Sequence, residues 1–100
     1  MSIEVERSAN GEEVKLYVSE NFDFSQHKEF REAYRNEAPD AKYIVNLSNA
    51  KYMDSSALGM LLLLRKHAGG DSAQIVIEEI PVDVRKVLEV ANFHKIFKLK

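Results

Sequence analysis

The chain has 100 residues, 45% apolar and 30% charged, with 14 Lys and Arg against 16 Asp and Glu. That balance fits one globular domain over residues 1–100, large enough for a single core. Without cysteine, disulfide frameworks, thiol catalysis and cysteine-based zinc sites are excluded, and a formal charge of −2 spread along the chain builds neither a nucleic-acid patch nor a cationic membrane helix.

The leading Met1-Ser2-Ile3-Glu4-Val5-Glu6-Arg7 lacks the apolar core of a signal peptide. The longest apolar run, Met60 to Leu64, is far too short to span a bilayer, so a cytoplasmic location without membrane insertion is expected. Ile3 and Val5 alternate with Glu4 and Glu6, Asn10-Gly11 signals a tight turn, and Val14, Leu16 and Val18 alternate again. This pattern predicts a β-hairpin.

Ser19 to Phe24 reads as a loop carrying Phe22 and Phe24 around Asp23, and either Asp23 or Ser25 is suited to cap the helix after it. His27, Phe30, Tyr34 and Ala38 recur at helical spacing until Pro39-Asp40. Tyr43 to Leu47, apolar save for Asn46, predicts an interior strand covered on both faces. A helix is predicted from about Ser56 to Ala68, its buried stripe centred on Ala57, Leu61, Leu64 and Ala68, with Leu58 and Met60 flanking. Leu62 and Leu63 lie either side of its Gly59/Lys66 face, more apolar than a solvated surface requires. Gly69-Gly70 is the stop signal.

Ala73 to Ile77 predicts another strand. Pro81 is placed as the first residue of a last helix, with Val84, Val87, Leu88 and Ala91 as its apolar stripe. Asn92 fits a left-handed cap with Phe93 folding back, and Ile96, Phe97 and Leu99 form a tail suited to a final strand or a packed extension. The order β-β-α-β-α-β-α plus tail predicts an α/β fold: a mixed, mostly parallel sheet with an N-terminal hairpin and three main helices.

The chemistry gathers at Lys51-Tyr52-Met53-Asp54-Ser55-Ser56-Ala57-Leu58-Gly59, where a β-type run hands over to a helix. Catalysis is a poor reading. Ser55 lacks the Gly-x-Ser-x-Gly elbow, His27, His67 and His94 show no ligand spacing, and the one Gly-Gly pair makes no phosphate cradle. Neither metal, cofactor nor enzyme activity is expected, and His67 reads as a contact with a helix C-terminus. A structural reading makes Asp54, Ser55 or Ser56 the helix cap, leaving two small polar residues without a task. A third makes the pair a phosphoswitch: phosphate at a helix N-terminus meets the positive end of the dipole and unpaired N–H groups, so its charge acts on whatever docks there.

Met53-Asp54-Ser55-Ser56-Ala57-Leu58-Gly59, joining a strand to a helix, resembles the signature of the STAS-domain anti-anti-sigma factors (anti-sigma factor antagonists). The resemblance extends to the hairpin, the Phe22-Asp23 loop, Ile44-Val45-Asn46-Leu47 and the ending Val84 to Phe97; Ala57 stands where many members have glycine. It implies a STAS-like domain, non-enzymatic, acting as a partner-switching module. Ser56 matches the phosphorylated second serine, with Ser55 as second choice. Asp54 and Ser55 shape the site, Met53, Leu58, Leu62 and Leu63 supply apolar contact around Gly59, and Asn21, Phe22 and Asp23 form a neighbouring rim. The implied partners are an anti-sigma factor or serine kinase with a histidine-kinase-like ATPase fold, bound by the unphosphorylated form, and a PP2C-type phosphatase; nucleic acid is not among them, and the free protein is expected to be a monomer. The alternative within the resemblance is a non-switching accessory subunit of a transporter, as in lipid-transport ATPase assemblies.

Overall fold

Alternation decides which way the strands face. In Glu13–Tyr17, Val14 and Leu16 are buried while Lys15 and Tyr17 on the other face are only half so. The structure, a computed structural model, describes residues 3–100; Met1 and Ser2, which open the stretch read as lacking a signal peptide, lie outside the described residues. The elements are β1 (Glu4–Arg7), β2 (Glu13–Tyr17), β3 (Asn21–Phe22), α1 (His27–Tyr34), β4 (Lys42–Asn46), β5 (Tyr52–Met53), α2 (Ser55–His67), β6 (Ile75–Glu78), α3 (Val82–Val90) and β7 (Lys98–Leu99). Short 3-10 turns occupy Phe24–Gln26, Gly70–Ser72 and Phe93–Lys95.

The main sheet runs β1-β2-β4-β6-β7, with β1 antiparallel to β2 and every other neighbour parallel. The predicted α/β architecture is therefore the observed one. The expected hairpin forms with Gly11 at φ 73, and β7 is the expected final strand. Ile3 is buried but precedes β1.

Register stacks the core. Val14, Tyr43 and Ile75 align across three strands, and Leu16, Val45 and Ile77 form the next row. Phe30 and Tyr34 of α1, Ala57, Leu61 and Leu64 of α2, and Val84 and Leu88 of α3 close over these rows as one cluster. The opposite face is only partly covered, with Asn46 and Val76 buried but Lys15, Tyr17 and Ile44 half-buried, which corrects the expectation that β4 is covered on both sides. Lys15, Ile44 and Val76 align there, followed by Tyr17, Asn46 and Glu78. Ile44 is half-buried, and Asn46 Nδ2 donates to Glu78 Oε2 at 2.9 Å while Lys15 Nζ sits 3.1 Å from the same oxygen.

The helix boundaries differ from the periodic pattern in ways that backbone chemistry explains. α1 stops at Tyr34, short of Ala38, because the residue before Pro39 is turned away from helix. The Glu37 amide closes a turn on the Tyr34 carbonyl. α2 begins at Ser55, one residue early, since Asp54 takes the cap. α3 begins at Val82, with Pro81 extended as its cap residue. Its stripe is only partly core: Val84 and Leu88 are buried, Ala91 is half-buried, and Val87 is 38% exposed. Asn92 takes the left-handed conformation at φ 62 and Phe93 is buried behind it, as expected.

Glu78 gives the open face a pH signature. The hydrogen bond from Asn46, helped by Lys15, holds its carboxyl below the ordinary glutamate value against a smaller opposing effect of burial. The folded state thus favours the ionised form, so the stabilisation is complete above the ordinary glutamate range and is lost as acid protonates the folded carboxylate. Glu78→Gln should destabilise the protein at neutral pH, with the gap to the parent closing in acid. Urea unfolding across a pH series measures this, and a gap independent of pH would contradict the assignment.

Candidate functional site

Asp54 decides what the two serines are free to do. Its backbone is extended, at φ −105, and its Oδ1 accepts from the Ala57 amide at 3.2 Å. Its carbonyl accepts from the same amide at 3.1 Å. With the cap supplied by Asp54, neither serine is needed for it. Ser55 is exposed and Ser56 half-buried, and among the described residues neither hydroxyl nor either backbone amide has a hydrogen-bond partner. Two hydroxyls and two orphan amides therefore stand at the positive end of a 13-residue helix.

A small second sheet fixes the surroundings of this helix end. Asn21 pairs with Tyr52 and Phe22 with Met53 in a parallel ladder. The Glu20 carbonyl accepts from the amides of Lys51 and Tyr52, at 2.8 and 3.0 Å. Asp23 Oδ1 accepts from the Ser25 amide at 3.0 Å and from its hydroxyl, capping the turn that leads into α1. The Asn21–Asp23 loop and the Asp54–Ser56 segment, remote in sequence, are thereby neighbours.

The side chains of this pairing divide by direction. Phe22 is fully buried and Met53 is 9% exposed, so both act as core pegs: Met53 does not present the outward apolar contact expected of it, and the Phe22 side chain is not part of the exposed rim expected with Asn21 and Asp23. Asn21 is exposed and Asp23 half-buried. On α2, Leu62 and Leu63 are 43% and 47% exposed, Gly59 is exposed, and Leu58 is half-buried. Two further residues escaped the sequence reading. Tyr52, 54% exposed, alternates with buried Met53, and Val90 of α3 joins Leu58, Val87 and Ala91 around a shallow apolar groove of about 330 Å³.

The three histidines form no ligand cluster among the described residues. His67 Nε2 lies 3.1 Å from both the Glu37 carbonyl and the Tyr43 hydroxyl, a packing role between α1, α2 and β4. Burial pushes the Tyr43 phenol up to about 12, and its hydroxyl donates to the Ala38 carbonyl at 2.7 Å. Among the described residues no three His, Cys, Asp or Glu gather as metal ligands, and no helix is long and apolar enough to cross a membrane.

The family model described as "Mlab, STAS domain" matches residues 5–99. The chain belongs to the STAS-domain family. A STAS-domain containing protein of Pseudomonas aeruginosa (strain UCBPP-PA14) is 48% identical to this STAS protein over 100 residues, covering 99% of each chain. Among solved structures, the unphosphorylated form of the anti-sigma factor antagonist SpoIIAA superposes with a TM-score of 0.69 at 20% identity, over 88% of this chain and 82% of that one. The phosphorylated form of the Bacillus cell fate determinant SpoIIAA gives 0.68 at 15% identity, over 99% and 91%. An anti-sigma-factor antagonist (STAS) domain protein from Planctomyces limnophilus gives 0.81 at 14% identity, over 99% and 89%. At these identities the superpositions establish the fold alone, that of a STAS domain.

Gly59 offers a test of what the outward face of α2 is for. A Cβ there would meet nothing within 4 Å, and the residue lies inside a helix. Nothing in the fold requires glycine at this position. Gly59→Ala is expected to raise unfolding stability by about 0.5–1 kcal/mol. Thermal and urea unfolding measure this, and a loss of stability would show that the fold itself requires the glycine.

Proposed function

We propose that this STAS protein is an anti-sigma factor antagonist that works by partner switching, with Ser56 as the phosphate acceptor. In its unmodified form it binds an anti-sigma factor or serine kinase of histidine-kinase-like ATPase fold. Phosphorylation of Ser56 ends the complex and a PP2C-type phosphatase restores it. The protein is substrate and ligand in this cycle, not catalyst, and acts in the cytoplasm as a monomer when free.

The observation that carries this reading is the division of labour at the start of α2. Asp54 caps the helix, so the Ser56 hydroxyl has no structural duty and stands beside unpaired amides. A phosphate there gains from the dipole and those amides, so the fold tolerates it. Its charge of about −1.5 to −2 beside Asp54 instead opposes an apolar partner surface. That surface includes Leu58 and Leu62 on α2 and Tyr52 on β5, with Leu63 at its far edge and Asn21 and Asp23 as polar rim. Phe22 and Met53 hold the rim from beneath.

Pull-down from cells followed by intact-mass analysis tests the class. Capture of a kinase together with one phosphate on the parent chain supports the switch, and Ser56→Ala should abolish the phosphate while sparing capture. Phosphate persisting on that variant would make Ser55 the acceptor. Constitutive capture of a transporter ATPase with no phosphate would replace the switch by the accessory-subunit reading.

Ser56→Asp should weaken the captured kinase about tenfold or more, roughly 1.4 kcal/mol, with the melting temperature unchanged. Titration calorimetry beside thermal unfolding separates the two effects, and equal affinity of the two forms would contradict the proposal.

A further inference from the structure

The end of α2 away from Ser56 carries a second surface of opposite character. α1 and α2 pack side by side, and between them runs an open groove of about 740 Å³. His27, Arg31 and Arg35 reach it from α1 and its flank, Lys66 and His67 from α2, and Leu63 lies along it. No aspartate or glutamate lines it. Arg35 is paired with Glu32 at 3.2 Å, whereas Arg31 and Lys66, both exposed, enter no ion pair among the described residues.

A helix dipole accounts for part of this pattern only. Cations in the last turn of α2 offset its negative end, which explains Lys66 and His67. Arg31, in the last turn of α1, is placed by the same effect, but the dipoles do not explain why the two ends face one groove that no carboxylate lines, in a chain whose net charge is negative. Nor do they explain an exposed leucine among cations. The floor of the groove is cross-linked: Tyr43 donates its proton to the Ala38 carbonyl, so His67 Nε2 is the donor to Glu37 and ties the α2 end to the chain after α1. The Tyr34 and His67 rings meet at 5.0 Å beneath it.

We propose that this groove binds an acidic segment of a partner protein, an extended or helical stretch whose carboxylates pair with Arg31 and Lys66 and whose apolar residue covers Leu63. Unpaired cations supply steering and register, and the leucine supplies burial that a purely ionic ligand cannot use. Arg31 adds a planar fork suited to carboxylates. Lys66 lies about 15 Å along α2 from Ser56 at ~1.5 Å per residue, so the cations of the groove stand apart from the proposed phosphorylation site and Leu63 borders both surfaces.

The test uses the full chain and a short fluorescein-labelled peptide of aspartate and glutamate with leucines at its centre. Anisotropy should show saturable binding that weakens with salt, and amide NMR shifts should fall on residues 27–36 and 63–67. Arg31→Glu combined with Lys66→Glu should weaken binding at least about tenfold, Leu63→Ser should also weaken it, and Ser56→Asp should leave it unchanged. If charge reversal lowers the melting temperature, Arg31→Ala with Lys66→Ala replaces it. Non-saturable binding, no loss in either double variant, or shifts confined to the Ser56 end would overturn the proposal. Equal affinity for a leucine-free peptide or for single-stranded RNA would overturn it too, by marking a general anion surface.

Discussion

Two residues of β3 pair with two of β5, and the whole serine face depends on that short ladder. Phe22 and Met53 peg it into the core, the Glu20 carbonyl accepts from the Lys51 and Tyr52 amides at its start, and the Phe22 carbonyl accepts from the Asp54 amide at its end. So few hydrogen bonds would be marginal in water by themselves. Burial of a full phenylalanine side chain adds about 1.5–3 kcal/mol, and the pairing persists because its inward residues belong to the main core. The exposed residues that alternate with them are thereby held in fixed directions at no separate cost.

From that anchor α2 extends across the sheet as a two-ended beam. Its inner stripe of Ala57, Met60, Leu61 and Leu64 is buried against the strands. The start is hydroxyl-bearing and acidic, set by Ser55, Ser56, Asp54 and neighbouring Asp23. The other end faces a groove of cations. A domain covered on one face of its sheet leaves helix surfaces as the outward layer, so both proposed contacts fall on helices. The open sheet face is occupied instead by the Lys15, Asn46 and Glu78 network, whose polar groups satisfy each other.

Much of this was legible in residues alone because it follows strong periodicity. The hairpin, the order of strands and helices, the left-handed Asn92 and the outward Leu62 and Leu63 all came from patterns several residues long. What was missed lay below that length. A two-residue strand has no period to detect, so β3 read as a loop with Phe22 on its rim, and β5 as part of the handover to α2 with Met53 as an outward contact. Conversely, apolar Ile44 and Val87 looked like core because apolar residues need not be buried. Ile44 belongs to a half-open face and Val87 to a groove beside Leu58. Three capping residues in a row left the cap ambiguous, and only the bond from the Ala57 amide to Asp54 resolves it.

In the proposed switch, a phosphate on Ser56 changes what the domain binds and not how it folds. Installing phosphoserine at position 56 during synthesis and comparing amide NMR spectra and melting curves with the unmodified chain tests it most directly. An unchanged melting temperature is expected, with shifts confined to the 20–23 loop and the first turns of α2. A lowered melting temperature, or shifts spreading through β2, β4 and β6, would contradict it.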